Sequence, residues 1–318
     1  MSLHYLQDTP LGCSGATSSP QQFGCRLTGL EPRRETDRGG FRAGPLHPGC
    51  DRRKASRPGT GVVAGLAPDG GRVVTGSWQG AARVWEIASG KLLTALDSSD
   101  ATRAVAWSPT GTRIATAGAP QEVHLWDACT GTRAGGLGTS HWKGILALAW
   151  SPGGDRLATA GDVTTQVLDV ATGRALRVLE HGAHVCAVTW SSDGKHLLTT
   201  TDENCLASLW DAGTGELLRT FGYREPVEDW YPFPWDASWS PDGKRILTAP
   251  SLEGVRVWEA TSGKLIRALQ DPGVEAVGWG PGRNLVASTT GRAIRFWDTE
   301  TWECSAKVPL TGSRTAPM

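Results

Sequence analysis

Six times between Leu66 and Thr301 the chain repeats one pattern, and that repetition limits the possible folds more than any other feature. The clearest copy is Trp107–Gly131, WSPTGTRIATAGAPQEVHLWDACTG. It reads as Trp-Ser-Pro, a glycine turn, an apolar run ending in Thr, a polar turn, an apolar run ending in Trp-Asp, and Thr-Gly. Close copies occupy Trp150–Gly173, Trp190–Gly215, Trp239–Gly263 and Trp279–Thr301, and Leu66–Gly90 is a weaker copy with Leu in the first Trp position. The second Trp falls at Trp85, Trp126, Trp210, Trp258 and Trp297, with Leu168 in the third unit. Successive units are therefore 41, 42, 42, 48 and 39 residues apart.

A period near 40 with four short β segments per unit predicts the blades of a β-propeller. Strand a is the run into Trp-Ser-Pro and strand b the run into Thr. Strand c ends in Trp-Asp, and strand d follows the Thr-Gly turn. No blade buries both faces alone, so the units are predicted to stack radially, with strand a at the channel and strand d at the rim. Pro-Asp-Gly and Ser/Thr-Gly supply the turns, Asp through its side-chain hydrogen bond and Gly through positive φ. The fold class is all-β: about six four-stranded blades over residues 61–308, followed by a flexible tail at 309–318.

Residues 1–60 are different material. They contain no Trp, show no sustained apolar period, and are broken by Pro10, Pro20, Pro32, Pro45, Pro48 and Pro58. Charge-rich runs such as EPRRETDRGG cannot bury enough apolar surface to offset the entropy of ordering, so this stretch is predicted to be disordered. A mis-called start codon would produce the same abrupt boundary. The stretch is basic, with nine Lys/Arg against five Asp/Glu, although the whole chain has zero net charge and no field that would draw it to nucleic acid or membrane. Cys13, Cys25, His47 and Cys50 lie too far apart to predict zinc. Seven cysteines without a Cys-x-x-Cys pair fit reduced thiols in a cytoplasmic protein. There is no signal peptide pattern and no apolar run of membrane-spanning length.

With these residues in view, VTWSSDGKHLLTTTDENCLASLWDAGTGELLRTF and VGWGPGRNLVASTTGRAIRFWDTET resemble blades of the WD-repeat (WD40) family. The Trp-Ser-Pro-Asp-Gly turns resemble those of its bacterial branch. The resemblance covers residues 61–308 and implies a buried structural tetrad of His, Ser/Thr, Asp and Trp. The fourth unit carries all four members as His181, Thr199, Asp202 and Trp210. The third has His141, Thr159 and Asp162 but Leu168, and in the sixth the His position falls at Gln270. The family more often builds seven blades. The last strand d carries Trp302 where Gly is usual, and nothing before Gly61 resembles a closing strand, which leaves closure of the ring undecided.

Enzyme signatures are absent: no G-x-S-x-G elbow, P-loop lysine or H-E-x-x-H. His181, His184 and His196 lie near Cys186 and Asp193 in sequence, but strand alternation separates them. No catalytic residue, metal or cofactor is predicted. Ten of the fifteen tryptophans occupy repeat positions and five are surplus. Of these, Trp78 lies in a b–c turn and Trp142, Trp230 and Trp235 in d–a loops, all on one face. The longest interval contains GYREPVEDWYPFPWDAS, with Tyr223, Asp229, Trp230, Tyr231 and Trp235. Exposed aromatics on an inserted loop suit a binding patch; the alternative is a plug in the channel. Acidic residues assigned to this face, among them Glu122, Asp162, Asp229 and Asp271, favour a Lys- or Arg-bearing peptide and disfavour nucleic acid. The predicted function is a non-catalytic scaffold that binds a protein or peptide. Two alternatives are a regulatory propeller within a larger bacterial signalling protein, such as a kinase or NTPase fusion, and a propeller with an enzyme or small-molecule site at the channel mouth.

Overall fold

The computed structural model describes residues 24–25, 62–77, 80–97, 101–118, 121–201, 207–222, 236–249, 254–280, 284–290 and 292–309. They form six sheets in which strands a to d pair antiparallel in chain order. Blade one is Val62–Leu66, Arg72–Ser77, Gly80–Glu86 and Leu92–Leu96, and blade two is Thr102–Trp107, Arg113–Gly118, Glu122–Asp127 and Arg133–Gly138. Blade three is Ala147–Trp150, Arg156–Gly161, Thr164–Asp169 and Ala175–Glu180, and blade four is Val185–Trp190, His196–Thr201, Ala207–Asp211 and Leu217–Phe221. Blade five comprises Asp236–Trp239, Arg245–Ala249, Val255–Glu259 and Leu265–Leu269, and blade six Val274–Trp279, Leu285–Thr290, Ala293–Asp298 and Cys304–Pro309. The predicted architecture of six four-stranded blades is the one observed. A two-residue strand, Gly24–Cys25, adds to the free edge of Val62–Leu66 and gives the first sheet a fifth member. The rest of the stretch predicted to be disordered, and the tail after Pro309, lie outside the described residues.

The turns explain the repeat. In each a–b turn of blades one to five a glycine sits at φ between 68° and 73°, at Gly70, Gly111, Gly154, Gly194 and Gly243. Each donates its N–H to the carbonyl three residues back. The serine before the turn points its hydroxyl into it: Ser191 bonds Asp193, and Ser240 bonds Asp242. The c–d turns place Gly90, Gly131, Gly173, Gly215 and Gly263 at similar positive φ, but blade six puts Trp302 there at φ 60°. A bulky residue in this region is strained by roughly 1–2 kcal/mol. Its ring stands edge-on to Trp279, 6.2 Å between centroids, with the Arg245 guanidinium 5.8 Å from it. The last strand d therefore forms despite the missing glycine, paired to Ala293–Asp298.

Packing follows from the two faces of each sheet. One face carries the bulky set that ends strand a, opens strand b and ends strand c, for example Trp107, Ile114 and Trp126 in blade two. The opposite face carries smaller residues and one large residue from strand d, for example Ala104, Ala115, Leu125 and Leu137. The bulky face of one blade fits the small face of the blade before it, and this happens five times, once between each consecutive pair from blade one to blade six. Each large side chain so buried stabilises by roughly 1.5–3 kcal/mol. The strand-a indoles of blades two to four also reach across the junction: Trp107, Trp150 and Trp190 donate Nε1–H to the carbonyls of Gly65, Ala106 and Ala149 in the preceding blade.

Candidate functional site

The d–a and b–c connections meet on one face, as strand alternation requires, and blade three shows how they are fixed. Its d–a connection spans residues 139–146. Thr139 donates both N–H and Oγ–H to the Gln121 carbonyl. Ser140 donates its N–H to Gln166 Oε1 and accepts from Gln166 Nε2 at 2.6 Å. His141 is fully buried, with Nε2 2.9 Å from Thr159 Oγ1 and Nδ1 3.1 Å from Thr164 Oγ1. Burial in this apolar surround depresses the His141 pKa below the usual histidine value, partly opposed by the charge of Asp162.

Asp162 occupies the b–c turn at φ 46° and accepts from two consecutive backbone amides, Trp142 N–H at 2.6 Å and Lys143 N–H at 3.0 Å. Ile145 N–H bonds the Gly118 carbonyl of blade two. Gly144 sits at φ 97°, and a Cβ there would lie 2.7 Å from that same carbonyl, so glycine is required. The large apolar side chain this loop exposes is Trp142, 68% exposed, with Lys143 Nζ 4.3 Å from its ring centroid.

The same turn ties blade three to blade four. The Asp162 carbonyl accepts from Val185 N–H and the Val163 carbonyl from His181 N–H, while the Val163 side chain is 40% exposed beside them. Trp142, Lys143 and Val163 therefore lie along one continuous, hydrogen-bonded stretch of the face.

Beneath the face runs a row of hydroxyl hubs. Strand-c indoles donate to strand-b hydroxyls at 2.9 Å in five blades: Trp85 to Thr75, Trp126 to Thr116, Trp210 to Thr199, Trp258 to Thr248 and Trp297 to Ser288. In blade three Leu168 stands in the indole position and Thr159 meets His141 instead. Of the four residues predicted for the blade-four tetrad, Thr199 and Trp210 are bonded directly. His181 packs edge-on against Trp210, 4.9 Å between centroids, and its Nε2 lies 3.2 Å from Thr165 of blade three. Desolvation lowers the His181 pKa to about 4. Asp202 lies outside the described residues.

Blade six departs from the sequence reading. Gln270, expected in the His position, is exposed, and the neighbouring Asp271 is fully buried. Asp271 accepts from Ser288 Oγ and pairs with Arg295, so a carboxylate replaces the imidazole and a basic strand-c residue neutralises it. Sequence reasoning missed this because it matched position in the repeat instead of asking which acceptor could sit under Ser288. Asp162 and Asp271 are both buried, and Glu122 is paired with Arg133 at 2.6 Å, so these three are not free charges of an acidic rim. Of the predicted contact residues, Trp142 is described; Trp78, Tyr223, Asp229, Trp230, Tyr231 and Trp235 lie outside the described residues. His196 stands beside Asp193 at an a–b turn, on the opposite face from His181. Among the described residues no group of three or more His, Cys, Asp or Glu is placed to hold a metal ion.

Residues 90–127, 136–162 and 173–211 match the family model described as WD domain, G-beta repeat. These segments supply most of blades two to four, including the Trp142 loop. Over these segments the chain, folded as a six-bladed propeller, is similar to WD repeats. It is similar to Transducin beta-like protein 3 of Bos taurus, 29% identical over 200 residues covering 59% of this chain and 24% of that protein. WD repeat-containing protein 26 homolog of Arabidopsis thaliana is 29% identical over 132 residues, 39% of this chain and 21% of that protein. Protein tipD of Dictyostelium discoideum is 23% identical over 248 residues, 74% of this chain and 33% of that protein. The chain thus spans between a fifth and a third of the length of these relatives, all of which are eukaryotic.

Proposed function

We propose that this propeller is a non-catalytic scaffold that binds a protein or peptide segment on its d–a/b–c face, with Trp142 as an anchoring side chain. One observation carries the reading: an indole 68% exposed on a loop whose backbone is held by Asp162, Gln166, Gln121 and Gly118. An exposed large aromatic on a fixed backbone loses little conformational entropy on contact, which is the physical profile of an interface anchor. His141 and His181 support the non-catalytic part, because their ring nitrogens engage structural hydroxyls.

The partner's charge rests on fewer residues than the sequence implied. Lys143 already lies over the Trp142 ring. A Lys- or Arg-bearing partner therefore depends on the inserted loop, with Glu225, Glu228 and Asp229 flanking Trp230, Tyr231 and Trp235. Several relatives are three to five times as long as the matched region, which favours, as a second reading, a propeller working within a larger assembly or signalling protein. No helix among the described residues is long and apolar enough to cross a membrane, and Cys129 and Cys304 carry free thiols. Both observations suit the proposed cytoplasmic setting.

The test is a peptide array of basic, apolar and acidic segments probed with the wild-type protein and with Trp142→Ala. Selective loss of signal in the variant supports the site. An unchanged binding profile assigns recognition to another surface.

A further inference from the structure

The outer edge of the propeller differs from blade to blade. Strand d of blades three, four and five ends the sheet, and its fifth residue, Leu179, Phe221 or Leu269, is buried against the following blade. The four residues before it are exposed, so both pleat faces meet water. Large apolar side chains fill these places: Leu176, Val178, Leu217, Leu218, Leu265 and Ile266 are 40–50% exposed. Arginine stands two residues before the buried position in each, as Arg177, Arg219 and Arg267. The repeat does not require this. The same position holds Thr94 in blade one, Gly135 in blade two and Ala306 in blade six.

Two of the arginines are pinned. Arg177 Nε–H donates to the Gly213 carbonyl at 2.7 Å, and Arg219 Nη2–H donates to the Thr261 carbonyl at 3.1 Å, each in the c–d turn of the following blade. Glycine leaves room for the second: a Cβ at Gly263 would lie 2.6 Å from Arg219 Cδ. Both acceptors are neutral. The arginine ion pairs among the described residues join Arg72, Arg133, Arg156 and Arg295 to carboxylates, and neither Arg177 nor Arg219 is among them. A guanidinium has five N–H donors. Arg177 uses one more on its own Leu176 carbonyl, and both arginines keep several in reserve.

Strand alternation puts each arginine on the face turned to the following blade, with the buried residue two places on, and puts Leu218 and Ile266 on the face turned to the preceding blade. The rim therefore has two successive grooves. Between strands d of blades three and four, Arg177 lies on one wall and Leu218 on the other. Between blades four and five, Leu217 and Arg219 lie opposite Ile266. We propose that these grooves dock an acidic segment of a partner protein, its carboxylates on Arg177 and Arg219 and its apolar side chains on Leu217, Leu218 and Ile266. This surface is the rim, distinct from the d–a/b–c face. Charge selects the occupant: residues 174–180, 216–221 and 264–269 carry five Lys/Arg against two Glu. A second copy laying the same strip on itself would oppose like charges, which is unfavourable. A phosphate backbone offers the leucines nothing apolar, and a bilayer surface would meet the crests of the strands and not the walls between them.

The experiment uses the full-length chain and a fluorescent peptide in which Glu and Leu alternate, with a Gln–Leu counterpart as control, read by anisotropy. The Glu–Leu peptide is expected to bind about tenfold or more tightly than its counterpart, and to lose that advantage when Arg177→Gln and Arg219→Gln are combined. Leu218→Asp or Ile266→Asp is expected to weaken it by about threefold or more. These two substitutions change exposed side chains outside the arginine bonds, so they keep the test readable if the arginine pair unsettles the c–d turns, which denaturation midpoints report. Trp142→Ala is expected to leave this binding unchanged. Equal affinity for the two peptides, affinity indifferent to the rim substitutions, or loss of binding with Trp142→Ala would overturn the proposal. So would a dimer by light scattering that Ile266→Asp abolishes, or sedimentation with phosphatidylserine vesicles that the arginine pair abolishes, since a second copy or a lipid surface would then occupy the rim.

Discussion

Two indoles eight residues apart in blade three have opposite fates. Trp150 ends strand a, is 4% exposed, packs with Leu125, Leu137 and Leu168, and donates to the Ala106 carbonyl of blade two. Trp142 lies in the loop that leads into that strand and is 68% exposed. The difference is not one of residue type. Trp150 recurs at the repeat interval and has a neighbouring blade built to receive it. Trp142 has no counterpart in the repeat, and its backbone is secured by Asp162 independently of its side chain. In a repeat fold, a large apolar residue in register is core, and one out of register is available for something else.

The comparison can be broken most forcefully at Trp150. Trp150→Ala is expected to cost about 3–5 kcal/mol, through the emptied volume between blades two and three and the lost bond to Ala106, read as a lower midpoint in denaturant titration.

His181, half-buried beside the Asp162–Val163 turn, tests whether the frame under the exposed indole is as dry as it looks. Its pKa is about 4 in the fold, below the ordinary 6.5, so the unfolded chain takes up the proton first as pH falls. Its contribution is complete above pH 6.5, is lost progressively between 6.5 and about 4, and is spent below that. The expected loss across this window is on the order of 2–3 kcal/mol. His181→Gln is expected to flatten that part of a pH series of melting curves, and an unchanged slope would mean that His181 is solvated.

A smaller effect is expected at Asp162. Asp162→Ala removes the acceptor for the Trp142 and Lys143 amides and leaves the loop to fray, at roughly 1–2 kcal/mol. Hydrogen exchange at these two amides is expected to accelerate while exchange in strand b of the same blade stays slow.

How much of this was legible in the sequence divides along the same line. The blades and their strand order could be read from spacing, because they repeat, and the strand-b hydroxyls under strand-c indoles followed from the resemblance to WD repeats. Asp271 could not, since its role depends on being buried under Ser288 and beside Arg295, one residue away from where the repeat pointed. Trp302 looked like a defect in the last turn, yet the strand forms, with the ring resting on Trp279 and Arg245. The count of six units was visible, but whether they seal into a ring depends on curvature, which the repeat does not encode. At the candidate face the surplus of Trp142 was legible, and the Asp162 clamp that positions it was not, because the sequence assigned Asp162 to a tetrad and an acidic rim.

The most direct test of the central claim is Trp142→Ala carried through two assays side by side. If Trp142 is an anchor displayed by a frame that does not need it, the denaturation midpoint stays within about 0.5 kcal/mol of wild type while binding on the peptide array is lost. A fall in stability approaching that of Trp150→Ala, with peptide binding intact, would make Trp142 part of the core and contradict the account.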